Sequence, residues 1–504
     1  MTDHVKTGRN AGPATGNALN RSLGSGLAPG IQVMDDATAV ATRKDSARLD
    51  LGAAAWALYE GARDPYVNLI VIYVFFPYFA TAVVGDPVKG QTLVADIATI
   101  CGLCVALTAP LLGASIDKIG RRKPLLLLMT ALMLPLLVSL WWIKPGLSGL
   151  GLGLSSVALG LLGLVFAYSE LLHNSMLTRA ATPKQAPYAS GLALSLGNFF
   201  SVFMLVFVLW AFALPGKVDW SFIPKHPLFG LDPLRHETDR IVGPVVAVCL
   251  AVLAIPLFLF TPDAPASGIG LFKALGQGYV GLKATFCTLR GHTAAAVFLG
   301  SRMLYTDGMT ALLVFMGVYA AGVMHWHILE LLAYGVLLSI FAVIGGQVGA
   351  RLDAYVGPRR AVQIAILAAA CGLFCLLGMG VNKILFIPYD TAAHAQLWRG
   401  PIYRTLPEVV FLAIGCFNAV FITAQIASSR TFLTRLAPPG QSASFFGLYA
   451  LSGTVTAWLG SALVRIFTGV FKSQQAGFVP VAMLLILGFI GMLFVKHDGK
   501  EGVA

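Results

Sequence analysis

"GASIDKIGRRKP", residues 113–124, sets Asp117, Lys118, Arg121, Arg122 and Lys123 into seven positions between two long apolar runs. Gly113 and Gly120 flank the charges, where a missing side chain permits close helix approach and a tight turn. A polar loop between two membrane helices needs this pattern: Arg121 to Lys123 stay at headgroup depth and fix orientation. Asp117 contributes little to orientation and is free to accept hydrogen bonds from a helix N-terminus or an arginine. "GARLDAYVGPRR", residues 349–360, repeats the pattern more loosely, with Gly349, Asp353, Arg359 and Arg360, one extra residue before Gly357 and an inserted Pro358.

The apolar runs on either side explain why such loops are needed. Of 504 residues, 57% are apolar and 12% charged, against about 25% charged in soluble globular proteins. A soluble core cannot hide that much apolar surface, whereas a hydrocarbon layer about 30 Å thick accepts helices of about 20 apolar residues. The sequence predicts spans near 51–84, 92–115, 124–143, 150–172, 188–213, 242–261, 293–322, 328–350, 360–381, 407–427, 443–470 and 477–496, twelve in all. The first is read as one long helix kinked at Pro65. Residues 1–50 and 497–504 read as tails, the first disordered and without the apolar core of a signal peptide. The net charge of +12 reports membrane orientation, not nucleic-acid binding. Arginines and lysines in the short loops place both termini in the cytoplasm, and the expected setting is a bacterial plasma membrane. Cys101, Cys104, Cys249, Cys371, Cys375 and Cys416 fall inside apolar spans, so neither a disulfide framework nor a metal site is implied.

The loop motif recurs six spans later, and "WALYEGA" (56–62) in span 1 is echoed by "RMLYTDGM" (302–309) in span 7. The expected architecture is therefore all-α, with a six-helix bundle at 51–261 and a second at 293–496. Between them, 262–292 forms a cytoplasmic linker holding an amphipathic stretch, "LFKALGQGYVGLKATF". The G-x-x-x-D-K-x-G-R-R loop resembles the signature loop of the major facilitator superfamily. "WALYEGA", "LYTDGM" (304–309), "HNSMLTRAATP" (173–183) and "SSRTFLTRLAPPGQSASFFGLYALSG" (428–453) resemble the branch called the unknown major facilitator, or autophagy-linked vacuole effluxer, family. That resemblance implies two pseudo-symmetric bundles and export of small solutes, with amino acids as the fungal case. It also implies that Arg430 and Arg435 belong to an inner gate.

Charges deep inside spans mark the expected pathway, because a lone ionised group at the membrane centre costs about 2.5–3.5 kcal/mol. Glu60, Arg63 and Asp64 fall at i, i+3 and i+4 on one helix face. Asp307 lies mid-span with Arg302 about a turn and a half before it. Glu60, Asp64 or Asp307 is expected to carry a proton, while a Glu60–Arg63 bridge is the structural alternative. Glu170, His173, Asn174, Asn418 and Gln425 are candidate lining groups for a polar cavity. The expected function is secondary-active transport of a small solute by a monomer in contact with lipid, with proton coupling as the hypothesis and facilitated diffusion or exchange as its alternative, and with no cofactor and no enzymatic activity. A carrier of sugar, drug or lipid-like cargo, or a scaffold without flux, is the alternative.

Overall fold

The structure, a computed structural model, describes residues 49–263 apart from 148, 183 and 184, and residues 289–495 apart from 438–441, together with 265, 273 and 276. The first tail, the last residues and nearly all of the expected amphipathic stretch lie outside the described residues. Among the described residues, twelve helices are long and apolar enough to cross a membrane: α1 (Leu51–Val83), α2 (Pro87–Gly113), α3 (Lys123–Trp142), α4 (Leu152–Leu177), α5 (Tyr188–Ala213), α6 (Glu237–Phe260), α7 (Thr293–Val323), α8 (Ile328–Val356), α9 (Pro358–Leu377), α10 (Leu406–Leu436), α11 (Phe445–Phe471) and α12 (Gln474–Leu493). Lipid offers no hydrogen bonds, so each segment closes its backbone bonds internally, and the fold is all-α. The exception is an exposed antiparallel pair, β1 (Lys383–Ile384) and β2 (Ile387–Pro388), in the loop before α10.

Helices α1 and α7 are the most enclosed: 72% of the most apolar stretch of each is buried, against 22–50% in the other ten. Around α1 pack α4, α5 and α6, and around α7 pack α11 and α12. Helix α10 lies between α8 and α9, and α9 also meets α12. Contacts between the first six and last six helices run through α2–α11, α5–α8 and α1 with α7 and α8. Pro65 lacks an amide hydrogen. Where a kink is predicted, the chain continues in wide π turns over Tyr66–Tyr73 and Phe79–Val83, separated by one α turn at Phe75–Tyr78.

An even number of crossings puts Leu51 and Leu493 on one side, called the inner side below after the sequence expectation. At the outer side the two halves are closed on each other. Gly317 of α7 lies against the Ile72 carbonyl and Gly335 of α8 against the Tyr73 ring. Gln91 of α2 donates to Thr468 Oγ1 of α11 at 2.8 Å and to the Gln474 carbonyl at 3.2 Å. Arg465 of α11 pairs with Asp96 of α2. Further along the same helices, Gly102 of α2 lies against the Trp458 backbone of α11.

The span read as continuous at 443–470 is interrupted. Helix runs over Ser442–Thr454 and Leu459–Phe471, with turns at 455–458 between them. On the outer side, His236 Nδ1 lies 3.2 Å from Asp239 Oδ2 just before α6, and that hydrogen bond raises the imidazole pKa above its usual 6.5. Partial burial and nearby Arg240 oppose the rise. Tyr78 of α1 packs beside the ring, and Lys217, His327 and Glu330 line the same cavity. The raised pKa means this contact contributes fully below the unfolded pKa and fades as pH climbs past the folded one. Amide exchange over 235–240, corrected for its intrinsic pH dependence, should therefore be faster at pH 8 than at pH 6. His236→Gln should remove the difference.

Candidate functional site

Residues 51–65 of α1 form regular α-helix, so the i, i+3, i+4 spacing brings Glu60, Arg63 and Asp64 to one face. Arg63, only 3% exposed, donates to Glu60 through Nε at 3.0 Å and Nη2 at 2.6 Å, and its Nη1 lies 3.4 Å from Glu170 of α4. His173, also from α4, stacks on Trp56 with centroids 4.6 Å apart. The Trp56 indole donates to the His173 carbonyl at 2.9 Å, and His173 Nε2 sits 2.8 Å from the Trp56 carbonyl. His173 Nδ1 then lies 3.2 Å from Glu60 Oε2. Asp64 has room because Gly197 of α5 carries no side chain, and Asp64 is partly exposed. Glu170 is 47% exposed, so the cluster opens to a surface on its α4 side. The bridge between Glu60 and Arg63 is present. Two carboxylates, Glu60 and Glu170, pair with one guanidinium, Asp64 shares the Glu60 face, and His173 joins through Glu60.

The other half is built differently. Arg302 and Asp307 on α7 are both buried and do not pair with each other. Arg302 donates through Nη1 to the Tyr449 carbonyl and to Ser452 Oγ of α11, each at 2.7 Å, and its guanidinium lies over the Tyr449 ring. No carboxylate pairs with Arg302 among the described residues, and its Nε has no acceptor. Asp307 Oδ2 accepts the Gly460 amide at 2.6 Å. It therefore occupies the N-terminal end of the second segment of α11, where unsatisfied amides and the helix dipole favour a carboxylate. Gln425 donates to Ser429 at 2.8 Å, and Ser429 meets the Tyr305 hydroxyl at 2.9 Å, which ties α10 to α7. Asn418 is buried against Gly372 of α9, with neither amide atom partnered. Asn174 is exposed, apart from the Glu60–His173 network.

The inner loops hold their helices through carbonyls. Gly120 takes φ 90°, which its lack of Cβ permits. Arg122 is buried and reaches the Ser175 carbonyl of α4, and Lys123 Nζ reaches the Phe258 carbonyl of α6 at 3.1 Å. In the second copy, Arg359 donates to the Leu493 carbonyl at the end of α12 at 3.0 Å, while one Asp353 oxygen is buried without a partner. Each cation thus sits at a helix C-terminus, where the dipole favours it. The side chain of Asp117 lies outside the described residues. A residue the motif does not contain caps α3: Asp263, just beyond α6, accepts from the Arg122 amide at 3.0 Å and the Lys123 amide at 3.1 Å. Arg121, Arg360, Arg430 and Arg435 are exposed, and Gly113 and Gly349 lie at helix contacts with α4 and α10. Sequence reasoning also missed Asp96 and Arg465, although both are intramembrane charges of the kind that singled out Glu60 and Asp307.

A family model described as "Vacuole effluxer Atg22 like" matches residues 184–501. The chain belongs to this family. Among its relatives, Autophagy-related protein 22-2 of Aspergillus niger is 28% identical over 173 residues, covering 33% of this chain and 27% of that protein. Autophagy-related protein 22 of Coccidioides immitis is 25% identical over 291 residues, covering 53% and 45%. The matches thus span less than half the length of these relatives. Among solved structures, the chain is similar to the nucleoside transporter NupG, with 14% identity, TM-score 0.55 and coverage of 89% of this chain and all of that one. It is also similar to the inward-open xylose transporter XylE from E. coli, with 14% identity, TM-score 0.55, and 89% and 96% covered. At these identities the likeness establishes the fold, that of the major facilitator superfamily. The expectation of a bacterial plasma membrane is corrected here: the Autophagy-related protein 22 relatives are fungal, and the matching family model is described by the vacuole. The integral, multi-pass placement stands.

Proposed function

We propose that the protein carries an amino acid across the membrane by alternating access, the outer-closed state described here exchanging with an outer-open one. The observation that carries this reading is the division of charge between the halves. Glu60, Asp64 and Glu170 outnumber Arg63 in the first half, and Arg302 has only neutral partners in the second. A solute with an ammonium at one end and a carboxylate at the other compensates both, and such pairing is strongest where water is scarce. The family's description as vacuole effluxers supports efflux as the direction of movement. In proteoliposomes loaded with labelled leucine, leucine should compete for transport while leucinamide and N-acetyl-leucine, each lacking one charge, should not. Arg302→Gln should raise the leucine KM at least tenfold. Equal competition by all three, or preference for sugar or lipid, would overturn the amino-acid assignment; no flux of any cargo would favour the scaffold reading.

We further propose that transport is proton-linked through Glu60 and His173. With Nε2–H given to the Trp56 carbonyl, a bare Nδ1 would set its lone pair against the Glu60 carboxylate 3.2 Å away. A proton on one of the two removes that conflict, and its release is coupled to the state of Glu60. Asp307, engaged at a helix N-terminus, takes a positioning role instead. Asp307→Asn is accordingly expected to slow transport but leave its dependence on a pH gradient intact. Loss of that dependence would reassign the proton to Asp307.

A further inference from the structure

The hairpin β1–β2, between α9 and α10, has a tip that its own backbone disfavours. Its register pairs Ile384 with Ile387, which leaves Leu385 and Phe386 as a two-residue turn with φ of 50° and 71°. Turns with two positive φ angles favour Asn-Gly, because a bulky side chain crowds the backbone there. Two large apolar residues in that place need an environment that compensates them. Helix α9 supplies part of it: the Phe386 amide donates to the Gly378 carbonyl at 2.8 Å, and the Phe386 ring lies over Gly378 with its centroid 5.2 Å from that of Phe374. Ile364, Leu367, Cys371 and Phe374 are exposed at helical spacing, which makes them the lipid-facing stripe of α9, and Gly378 continues it. The tip therefore extends a surface that already meets acyl chains. Leu385, Phe386 and Ile387 are still 43, 53 and 68% exposed, and lipid covers them at no cost where water would not.

Beside the hairpin, and apart from the cavity next to His236, lies a second outer cavity of about 430 Å³. It sits where α2, α7, α9, α11 and α12 reach their outer ends, which is headgroup depth. The charged groups lining it are Lys383 of the hairpin and Lys472 of the α11–α12 turn, and neither pairs with a carboxylate among the described residues. Lys472 also lines an adjoining cavity, but the acids there are taken: Asp86 accepts the Val88 and Lys89 amides at 2.9 and 3.1 Å, and Asp96 pairs with Arg465. Asn382 adds an amide donor to the lysines, since its side-chain oxygen accepts the Thr391 hydroxyl at 2.7 Å. Cationic donors thus stand at headgroup depth directly beside an apolar tip set on a lipid-facing helix.

We propose that the hairpin and this cavity form a binding site for an anionic phospholipid of the outer leaflet, its phosphate held by Lys383, Lys472 and Asn382 and its acyl chains lying over Leu385, Phe386 and Ile387 along α9. A phosphodiester carrying no cation of its own suits two uncompensated lysines better than a zwitterionic headgroup does. The site is separate from Glu60 and Arg302 and does not rest on the cargo proposed for them.

Full-length protein in neutral detergent is titrated with dioctanoyl phosphatidylglycerol, and bound lipid is counted by native mass spectrometry against phosphatidylcholine of the same chains and inorganic phosphate. Phosphatidylglycerol should be retained in preference to phosphatidylcholine, and phosphate, which has no chains, should displace it poorly. Lys383→Gln and Lys472→Gln should each weaken retention about fivefold. Lys89→Gln, which lines only the adjoining cavity, should leave it unchanged. Leu385→Asn combined with Phe386→Gly suits the turn better than the natural pair, so the hairpin stays folded while retention should fall. Equal retention of phosphatidylcholine, or an equal loss in Lys89→Gln, would reduce the effect to general attraction and overturn the proposal. Full displacement by phosphate would make this a free-anion site and overturn it as well, and retention unchanged in the Lys383, Lys472 and tip variants would place the lipid elsewhere and do the same.

Discussion

Arg63→Met is expected to abolish transport and to destabilise the protein by about 3–5 kcal/mol, the cost of removing one partner from a buried ion pair. The guanidinium is 3% exposed and, among the described residues, its ionic partners are Glu60 and Glu170, with Asp64 next to it in sequence. Without it Glu60, Asp64 and Glu170 are left with no fixed cation, and Glu60, which meets His173, no longer has its counter-charge beside the Trp56–His173 link between α1 and α4. The loss should appear as a lower melting temperature in detergent. A second change separates burial of charge from loss of packing: Glu60→Gln combined with Arg63→Met should recover part of the stability while remaining inactive, since the pair is then removed from both sides. An Arg63→Met protein with native melting and native flux would show that the cluster is dispensable.

Gly317→Ala should shift the protein toward the outer-open state. A Cβ at this position of α7 runs into the Ile72 carbonyl, which is backbone and cannot swing aside as a side chain would. Overpacking of this kind costs about 1–3 kcal/mol. Here the cost falls only on the state in which α1 and α7 touch, so the equilibrium between states moves by about 5- to 150-fold. Thr238 is buried and lines the outer cavity. A cysteine placed there by Thr238→Cys should react faster with an impermeant maleimide added from the outer side once Gly317→Ala is present, and transport should slow because return to the outer-closed state is now uphill. Unchanged labelling would mean that α1 and α7 yield elsewhere and that this contact does not set the state.

Much of the architecture follows from composition and spacing. Spans expected at 124–143 and 188–213 are found at Lys123–Trp142 and Tyr188–Ala213, because twenty apolar residues in lipid have no alternative to helix. The shared face of Glu60 and Arg63 is likewise local, set by the 3.6-residue turn. The site beyond α1 was harder to read. His173 comes from 117 residues away to stack on Trp56, and Asp307 finds Gly460 only because α11 breaks at 455–458. The polar run Gly453, Thr454 and Thr456 hinted at that break inside an otherwise apolar span.

The amino-acid sequence alone therefore determined that this is a twelve-span membrane protein with a repeated cationic loop and charged groups deep in its first and seventh spans, since hydrophobic length and helical period act locally. Tertiary structure decided which charges are compensated, that Asp263 caps α3, that Asp307 holds a half-helix, and that the outer side is closed. Those outcomes depend on which distant side chains share one low-dielectric space, where an unpaired charge or donor is costly enough to dictate its neighbour. Spacing along the chain carries no record of that.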